Sequence, residues 1–392
     1  MKRLLIVQYS GDFRAAWHLR AETGGETYYG HGYILDQLGH LATRHGEAGF
    51  LCCLAPPHRE RLPNGATVMG AGTRPGLRPG PVIAAMEAFD PTHLIVHGPM
   101  PRLIRWGVAR GIPVGCVFAD SFHVHPLMRR LRYGWLARQL NDPSVSLVAN
   151  HGVNAARGLV DMGVAPSKVL AWDFPHRRTP AMFAPKLKAS PGPARLLYVG
   201  SIEAKKGVGD LIAALGHLPD ARLSIAGGGQ VERFRALAEK LGVAARVAFL
   251  GLVPNAEVPA LMHDADVVVV PSRHAFPEGL PLTLYEALAS RTPVVASDHP
   301  MFAGHLVDGE SAMVFPAGNA QALADRISAL LADPKLYARV SAASEGAWQR
   351  MQVPVKWGDM IDRWVNDEAQ DRAWLAANSL AAAGQGGTSD AG

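Results

Sequence analysis

Cysteine is scarce in this 392-residue chain: Cys52, Cys53 and Cys116 are the three, and two of them are adjacent. An odd total with that spacing gives neither a disulfide framework nor a CxxC metal knuckle, and it fits a reducing, cytoplasmic compartment. Long apolar runs are missing as well. Lys2 and Arg3 precede an apolar stretch at 4–7, but Gln8 and Tyr9 interrupt it. That is too short for a secretory leader and reads as a first buried strand. The longest later run, Val267–Val270, is also strand-sized, so no segment reads as membrane-spanning and any membrane role is peripheral. Charged residues are only 19% of the chain and apolar ones 48%. Those proportions exclude disordered, collagen-like and disulfide-stapled classes, and leave enough apolar chain for two proper cores.

Charge is unevenly placed. Residues 1–190 hold 22 Lys and Arg against 12 Asp and Glu, a balance of +10, whereas residues 191–392 hold 17 against 22, a balance of −5. A basic half joined to an acidic half points to an anionic partner for the first: a phospholipid surface, a lipid diphosphate, an acidic glycan or nucleic acid. An uneven scatter of surface charge is the plain alternative.

Short Val/Ile/Leu runs alternate with helical stretches, the pattern of parallel α/β architecture. Strands are expected at 4–9, 50–55, 93–97, 114–119 and 146–150, with helices at 33–45, 82–88, 102–109 and 153–162. A stretch rich in Pro, Arg and Lys follows at about 175–194, and then the pattern restarts. Strands are expected at 196–199, 222–226, 247–250, 267–270 and 294–296, and helices at 207–215, 231–241, 257–263, 282–289 and 320–331. The division this predicts is a first domain over 1–185, a linker at 186–194 and a second domain over 195–352. A helix within 353–378 is expected to return to the first domain, and 379–392 to be a flexible tail. Two doubly wound domains facing a cleft place ligands at strand carboxyl ends.

The densest chemistry directly follows the 267–270 strand. Pro271-Ser272-Arg273-His274-Ala275-Phe276-Pro277-Glu278-Gly279-Leu280-Pro281 leads into a helix that carries Glu286. A loop feeding a helix N-terminus is a natural anion site, because unpaired N–H groups and the helix dipole face the ligand. Two carboxylates eight positions apart could grip two hydroxyl-bearing parts of one ligand. Taken alone, the spacing favours the plainer alternative, Glu278 as a first-turn acid helping the dipole and Glu286 as a solvated helix residue.

The stretch 267–298, VVVVPSRHAFPEGLPLTLYEALASRTPVVASD, resembles the donor-site signature of retaining glycosyltransferases of family 4, with Glu278 and Glu286 as its paired glutamates. Further pieces occur in the family's order. Gly200-Ser201-Ile202-Glu203-Ala204-Lys205-Lys206-Gly207 resembles its lysine-bearing loop, Gly227-Gly228-Gly229 its next glycine turn, and Gly251-Leu252-Val253 the segment along the nucleotide base. Gly24-Gly25 resembles its N-terminal glycine loop. The resemblance is tight over 196–316 and loose before, and it implies the GT-B fold: two Rossmann-like, doubly wound parallel-sheet domains facing an interdomain cleft.

By that resemblance Glu286 would accept from the ribose hydroxyls and Glu278 would contact the transferred sugar. Lys206 would neutralise the donor diphosphate, whose charge grows as the glycosidic bond breaks. Backbone N–H groups of Gly279, Leu280, Gly24 and Gly25 would close on sugar and phosphate, with Gly228, Leu252 and Val253 lining the nucleotide. Three positions depart from the family. Ser201 stands where its diphosphate arginine would be, leaving Lys205 as the nearby extra cation. Its His-Asp pair falls on Ala119-Asp120, so Asp120 is the expected catalytic carboxylate and His123 the histidine that could reach the same space. The acidic residue of a later loop is absent from Pro300-Met301-Phe302-Ala303-Gly304.

Other motifs are weaker. His123 and His125 lack a third ligand at metal spacing, and Asp264-Ala265-Asp266 precedes a strand where a metal-dependent transferase would have it follow one. Gly227-Gly228-Gly229 does not complete GxGxxG, which argues against a nicotinamide cofactor. In the basic segment 128–140, Leu131, Trp135, Leu136 and Leu140 recur at helical spacing. They fit either a stripe packed on its own domain or an interfacial helix on anionic lipid. No stacking platform accompanies the arginines, so nucleic acid is not expected as a partner.

The reading is a cytoplasmic retaining glycosyltransferase, peripheral at the inner membrane face where the basic half meets lipid. It uses a nucleotide diphosphate sugar as substrate, with no cofactor and no metal. The acceptor is a glycan, a lipid-linked sugar or a small molecule. The alternatives are a nucleotide-sugar epimerase and a non-catalytic binding protein of the same fold.

Overall fold

The computed structural model describes residues 1–26, 29–122 and 126–385. The chain divides into two compact units: Met1–Pro175 together with the chain from Val353 on, and His176–Gln352. The expected boundary at 185 and linker at 186–194 are therefore not where the chain divides. The proline-rich stretch has no periodic pattern of its own, and its polar groups are satisfied by the second unit. Arg291 Nε donates to the Pro180 carbonyl at 3.1 Å, the Lys186 N–H to Ser341 Oγ at 2.7 Å, and the Ser190 N–H to Asp266 Oδ1 at 2.9 Å. The Phe183 ring stacks on His263.

The first unit contains eight strands: β1 (Lys2–Gln8), β2 (Gly46–Cys52), β3 (His58–Arg61), β4 (Thr67–Gly70), β5 (His93–His97), β6 (Val114–Phe118), β7 (Val145–His151) and β8 (Val169–Trp172). Their order across the sheet is β3-β4-β2-β1-β5-β6-β7-β8, parallel except for β3 against β4. The centre of β1, together with β5 and β6, is covered on both faces, which is why these strands read as unbroken apolar runs and not as alternating ones. From β1 the chain winds to one side and then returns to the other at β5, so the topological switch lies between β1 and β5.

The second unit is a six-stranded parallel sheet: β9 (Ala194–Val199), β10 (Ala221–Ala226), β11 (Val247–Gly251), β12 (Val267–Val270), β13 (Val294–Ser297) and β14 (Met313–Phe315), in the order β11-β10-β9-β12-β13-β14. Its switch lies between β9 and β12. The ends of neighbouring strands meet closely on one side of the switch, and the loops after β9 and β12 meet across it. The Gly200 N–H donates to the Ala226 carbonyl at 3.0 Å and the Gly227 N–H to the Gly251 carbonyl at 2.7 Å. Gly207, at φ +74, presses against the Pro271 carbonyl so that an added Cβ would lie 2.0 Å from that oxygen.

Past Gln352 the chain rejoins the first unit. The Trp357 N–H donates to the Asp173 carbonyl at 3.0 Å and the Gly358 N–H to the Tyr33 hydroxyl at 3.0 Å. The helix expected within 353–378 is two helices, Trp357–Asn366 and Ala369–Ala377, parted at Asp367, whose φ of +57 ends the first. The expected flexible tail begins too early at 379. Buried Ser379 bridges to Leu170, and the alanine-rich segment Leu380–Gln385 is helical, as alanine's propensity favours. The three cysteines are free and buried. No helix among the described residues is long and apolar enough to cross a membrane.

Gly207→Ala should cost about 3 kcal/mol, since a left-handed alanine and a backbone collision add. Urea unfolding measures this. A loss under about 1 kcal/mol would show that the loop yields freely.

Candidate functional site

Glu278 is buried at the carboxyl end of β12, where an isolated carboxylate is costly unless paired. Lys206 Nζ meets its Oε1 at 2.5 Å, and Ser272 Oγ donates to the same oxygen at 2.7 Å. The ammonium also lies over the Phe276 ring, 4.1 Å from its centroid. Lys206 comes from the loop after β9 and Glu278 from the loop after β12, and the Gly207–Pro271 contact helps hold those loops together. Among the described residues, Oε2 of Glu278 takes no hydrogen bond and is left for solvent or a ligand.

Glu286 lies on the helix Leu282–Ala289. Its Oε1 accepts from Arg178 Nη1 at 2.7 Å, and the same guanidinium donates to Asn255 Oδ1 at 2.5 Å and to the Asn255 carbonyl at 2.6 Å. Burial pushes the Glu286 carboxyl above its ordinary range, and Arg178 pulls it back. Sequence reasoning missed Arg178 altogether. It sits in the proline-rich stretch, more than a hundred positions from its partner, and only folding brings them together. Asn255 follows the Leu252-Val253 segment, so one arginine ties that segment to Glu286.

Between the two glutamates, Gly279 and Leu280 are buried, and among the described residues their N–H groups have no acceptor. Buried unpaired N–H groups are rare, and at a helix N-terminus they face an anion or a polar ligand. Exposed Ser201 donates through Oγ to Glu203 at 2.9 Å, and its carbonyl accepts from the Tyr198 hydroxyl at 2.6 Å. Lys205 is exposed, and its carbonyl accepts the Arg273 N–H at 2.9 Å. The Arg273 guanidinium is paired with Asp210. The Gly228 carbonyl accepts the Ile202 N–H at 2.8 Å, Leu252 next to it is exposed, and Val253 is half-buried. Lys206, Glu278, Gly279 and Leu280 thus share one locality at the switch of this sheet.

Asp120 belongs to the first unit and lines a cavity of about 370 Å³ at that sheet's switch. Its carboxylate accepts the Phe122 N–H at 2.7 Å, and burial raises its pKa above the usual carboxylate range. His97, His151 and Trp172 line the same cavity. In the β6–β7 register Phe118 pairs with Asn150, so Ala119 and His151 occupy the next level of neighbouring strands. Buried His151 bonds through Nε2 to Asp173 Oδ1 at 3.0 Å and stacks on Trp172 at 4.6 Å. Burial, with His151 adding to it, lowers the His97 pKa to about 4, so this imidazole stays neutral near pH 7. His123 and His125 lie outside the described residues. The glycine at the β1 end of the cavity is Gly11, at φ +106. Gly24 and Gly25 instead close the helix Phe13–Thr23, and their N–H groups are already used, Gly24 donating to the Arg20 carbonyl at 2.9 Å and Gly25 to Thr23 Oγ1 at 3.0 Å.

The helix Pro126–Leu140 splits the expected stripe. Leu136 and Leu140 are buried, whereas Leu131 and Trp135 are exposed, together with Met128. No group of three or more His, Cys, Asp and Glu able to hold a metal ion occurs among the described residues.

Residues 183–346 match the family model described as glycosyl transferases group 1. A phosphatidyl-myo-inositol mannosyltransferase of Mycobacterium leprae (strain TN) is 38% identical over 173 residues, 43% of this chain and 45% of its own length. A glycogen synthase of Mycobacterium tuberculosis is 32% identical over 215 residues, 54% of this chain and 45% of its own. The chain thus spans about half the length of the curated relatives it matches. Among solved structures, a sucrose-phosphate synthase from Thermosynechococcus elongatus superposes with a TM-score of 0.69 at 18% identity, over 96% of this chain and 100% of its own. Anabaena HepE in complex with UDP and glucose gives 0.66 at 17%, over 94% and 99%. At such identity the likeness is one of fold, and the fold is GT-B.

Arg178→Ala should raise the Glu286 pKa further, because burial remains and the compensating cation is gone. Carboxyl ¹³C titration reads this directly, and an unmoved midpoint would mean the guanidinium does not hold Glu286 in solution.

Proposed function

We propose, from the premise that residues 183–346 form a glycosyl transferases group 1 domain, that the protein is a retaining glycosyltransferase. It transfers a sugar from a nucleotide diphosphate sugar to an acceptor bound by the first unit. The observation that carries this reading is the pair of unacceptored N–H groups at Gly279 and Leu280, set beside the Lys206–Glu278 pair. A diphosphate needs donors and a cation at one place, and a hexose needs a fixed carboxylate next to them.

In this reading Glu286 takes the ribose diol through its open oxygen while Arg178 holds the other. Glu278 does the same for the sugar, with Lys206 as its clamp. On donor binding Lys206 Nζ still has protons to offer the diphosphate, and it stabilises the negative charge that builds as the anomeric bond breaks. No metal takes part in this assignment. No carboxylate is placed as a covalent nucleophile, so transfer occurs on the front face and the departing phosphate accepts the acceptor's proton. Met128, Leu131 and Trp135, exposed on a helix that also carries Arg132 and Arg138, supply a peripheral contact with an anionic membrane.

Thermal unfolding with UDP, GDP, ADP and dTDP in turn tests the donor site. At about 100 times its dissociation constant a bound nucleotide adds roughly 2.7 kcal/mol, a shift of several degrees. One nucleotide should stabilise the wild type and not Glu286→Ala. No stabilisation by any of the four would refute the reading.

With that nucleotide's sugar as donor, Lys206→Ala should lower kcat by roughly 10²–10³ with a smaller change in KM. Turnover should survive EDTA, and the product should keep the donor's anomeric configuration by NMR. An inverted product would overturn the assignment.

A further inference from the structure

Beside the polar cavity of the first unit lies a larger one, of about 450 Å³, that the reading above does not use. The two share Tyr9, Gly98 and Pro99. Their walls differ in kind. Around the larger cavity Pro75, Met100, Pro101 and Leu103 are apolar, and among the described lining residues Tyr9 at the shared edge is the only aromatic ring and Arg102 the only charged side chain. The smaller cavity carries Asp120, His97 and His151. A sugar finds almost no hydrogen-bonding side chains in the larger one, and an aromatic group finds one ring. A hydrocarbon chain finds continuous aliphatic surface.

The segment that supplies Pro75 and Gly76 reads Arg74-Pro75-Gly76-Leu77-Arg78, and Leu77 is 75% exposed. An outward leucine between two arginines, next to a cavity lined by Arg102, suits the edge of an anionic lipid layer.

We propose that this cavity takes the aliphatic chain of a lipid-linked acceptor, whose hydroxyl-bearing head occupies the adjoining cavity beside Asp120 and His151. The inference deepens the assignment of the first unit to the acceptor and rests on it. It narrows the acceptor to an amphiphile, and it accounts for a polar pocket and an apolar one sharing Tyr9, Gly98 and Pro99 at the same strand ends.

The test uses the full chain and n-alkyl glucosides from methyl to decyl, each below its critical micelle concentration, with affinity from calorimetry. Affinity should rise roughly three- to fourfold per methylene as the cavity fills, and phenyl glucoside should bind no better than methyl. Gly76→Trp adds bulk where a Cβ meets no atom within 4 Å, at a position without a left-handed φ. It should flatten the chain-length slope and leave nucleotide binding by the second unit unchanged. Met100→Gln, which puts an amide into the wall, should weaken the same slope. Affinity independent of chain length, phenyl binding equal to octyl, or a slope untouched by both variants would each overturn the proposal. Nucleotide binding that persists while the slope is absent would sink this inference and spare the donor reading. A slope without nucleotide binding would do the reverse.

Discussion

The site in the second unit depends on one close contact, the backbone of Gly207 against the carbonyl of Pro271, with no room for a Cβ between them. That approach brings the loop after β9 against the loop after β12. Lys206 belongs to the first loop and Glu278 to the second, so the backbone approach brings within reach of each other the two side chains that pair at 2.5 Å. Pairing in turn lets a carboxylate be buried at all, since an unpartnered one would neutralise or stay in water. Ser272 on the same oxygen fixes its orientation. The result is a preorganised group with one oxygen held and one open, and Glu286 repeats the device with Arg178.

The first unit uses the same kind of position to a different end. Its strand-end cavity is built from imidazoles, one half-buried carboxyl and aromatic rings, and it shares Tyr9, Gly98 and Pro99 with an aliphatic neighbour. Of the cations counted over residues 1–190, Arg177, Arg178, Lys186 and Lys188 belong to the second unit, and none of the others lines the polar cavity, whose described lining has no Lys or Arg. Cations appear on the aliphatic side, at Arg102, and on the exposed helix that carries Arg132 and Arg138. Charge in this unit therefore suits a surface, while the pocket suits hydroxyl groups.

Most of the fold was legible in local pattern. Val267–Val270 and Leu282–Ala289 fall where their apolar runs and flanking Pro and Gly place them. The helix Pro334–Met351 went unread although it carries a plain start signal, Asp333 as N-cap with Pro334 at the first position. The β3–β4 pair was missed because His58–Arg61 is a polar edge strand with no apolar run to announce it. The proline-rich stretch misled for the opposite reason: its composition is that of a linker, yet Arg178, Lys186 and Ser190 are bound into the second unit. Gly24 and Gly25 misled because a glycine pair serves a helix end as readily as a ligand loop.

What the sequence determined by itself was the order of elements, the two parallel cores and the two glutamates, because periodicity, turn residues and a loop running into a helix are local properties of the chain. Only the tertiary structure decided the partners: Arg178 with Glu286, Ser272 and Lys206 with Glu278, His151 with Asp173 beside Ala119, and two cavities with a common wall. Apart from Ser272, which shares its loop with Glu278, those pairings join segments far apart in sequence. Their distances are set by the strand order within each sheet and by where backbones touch, which no local pattern encodes.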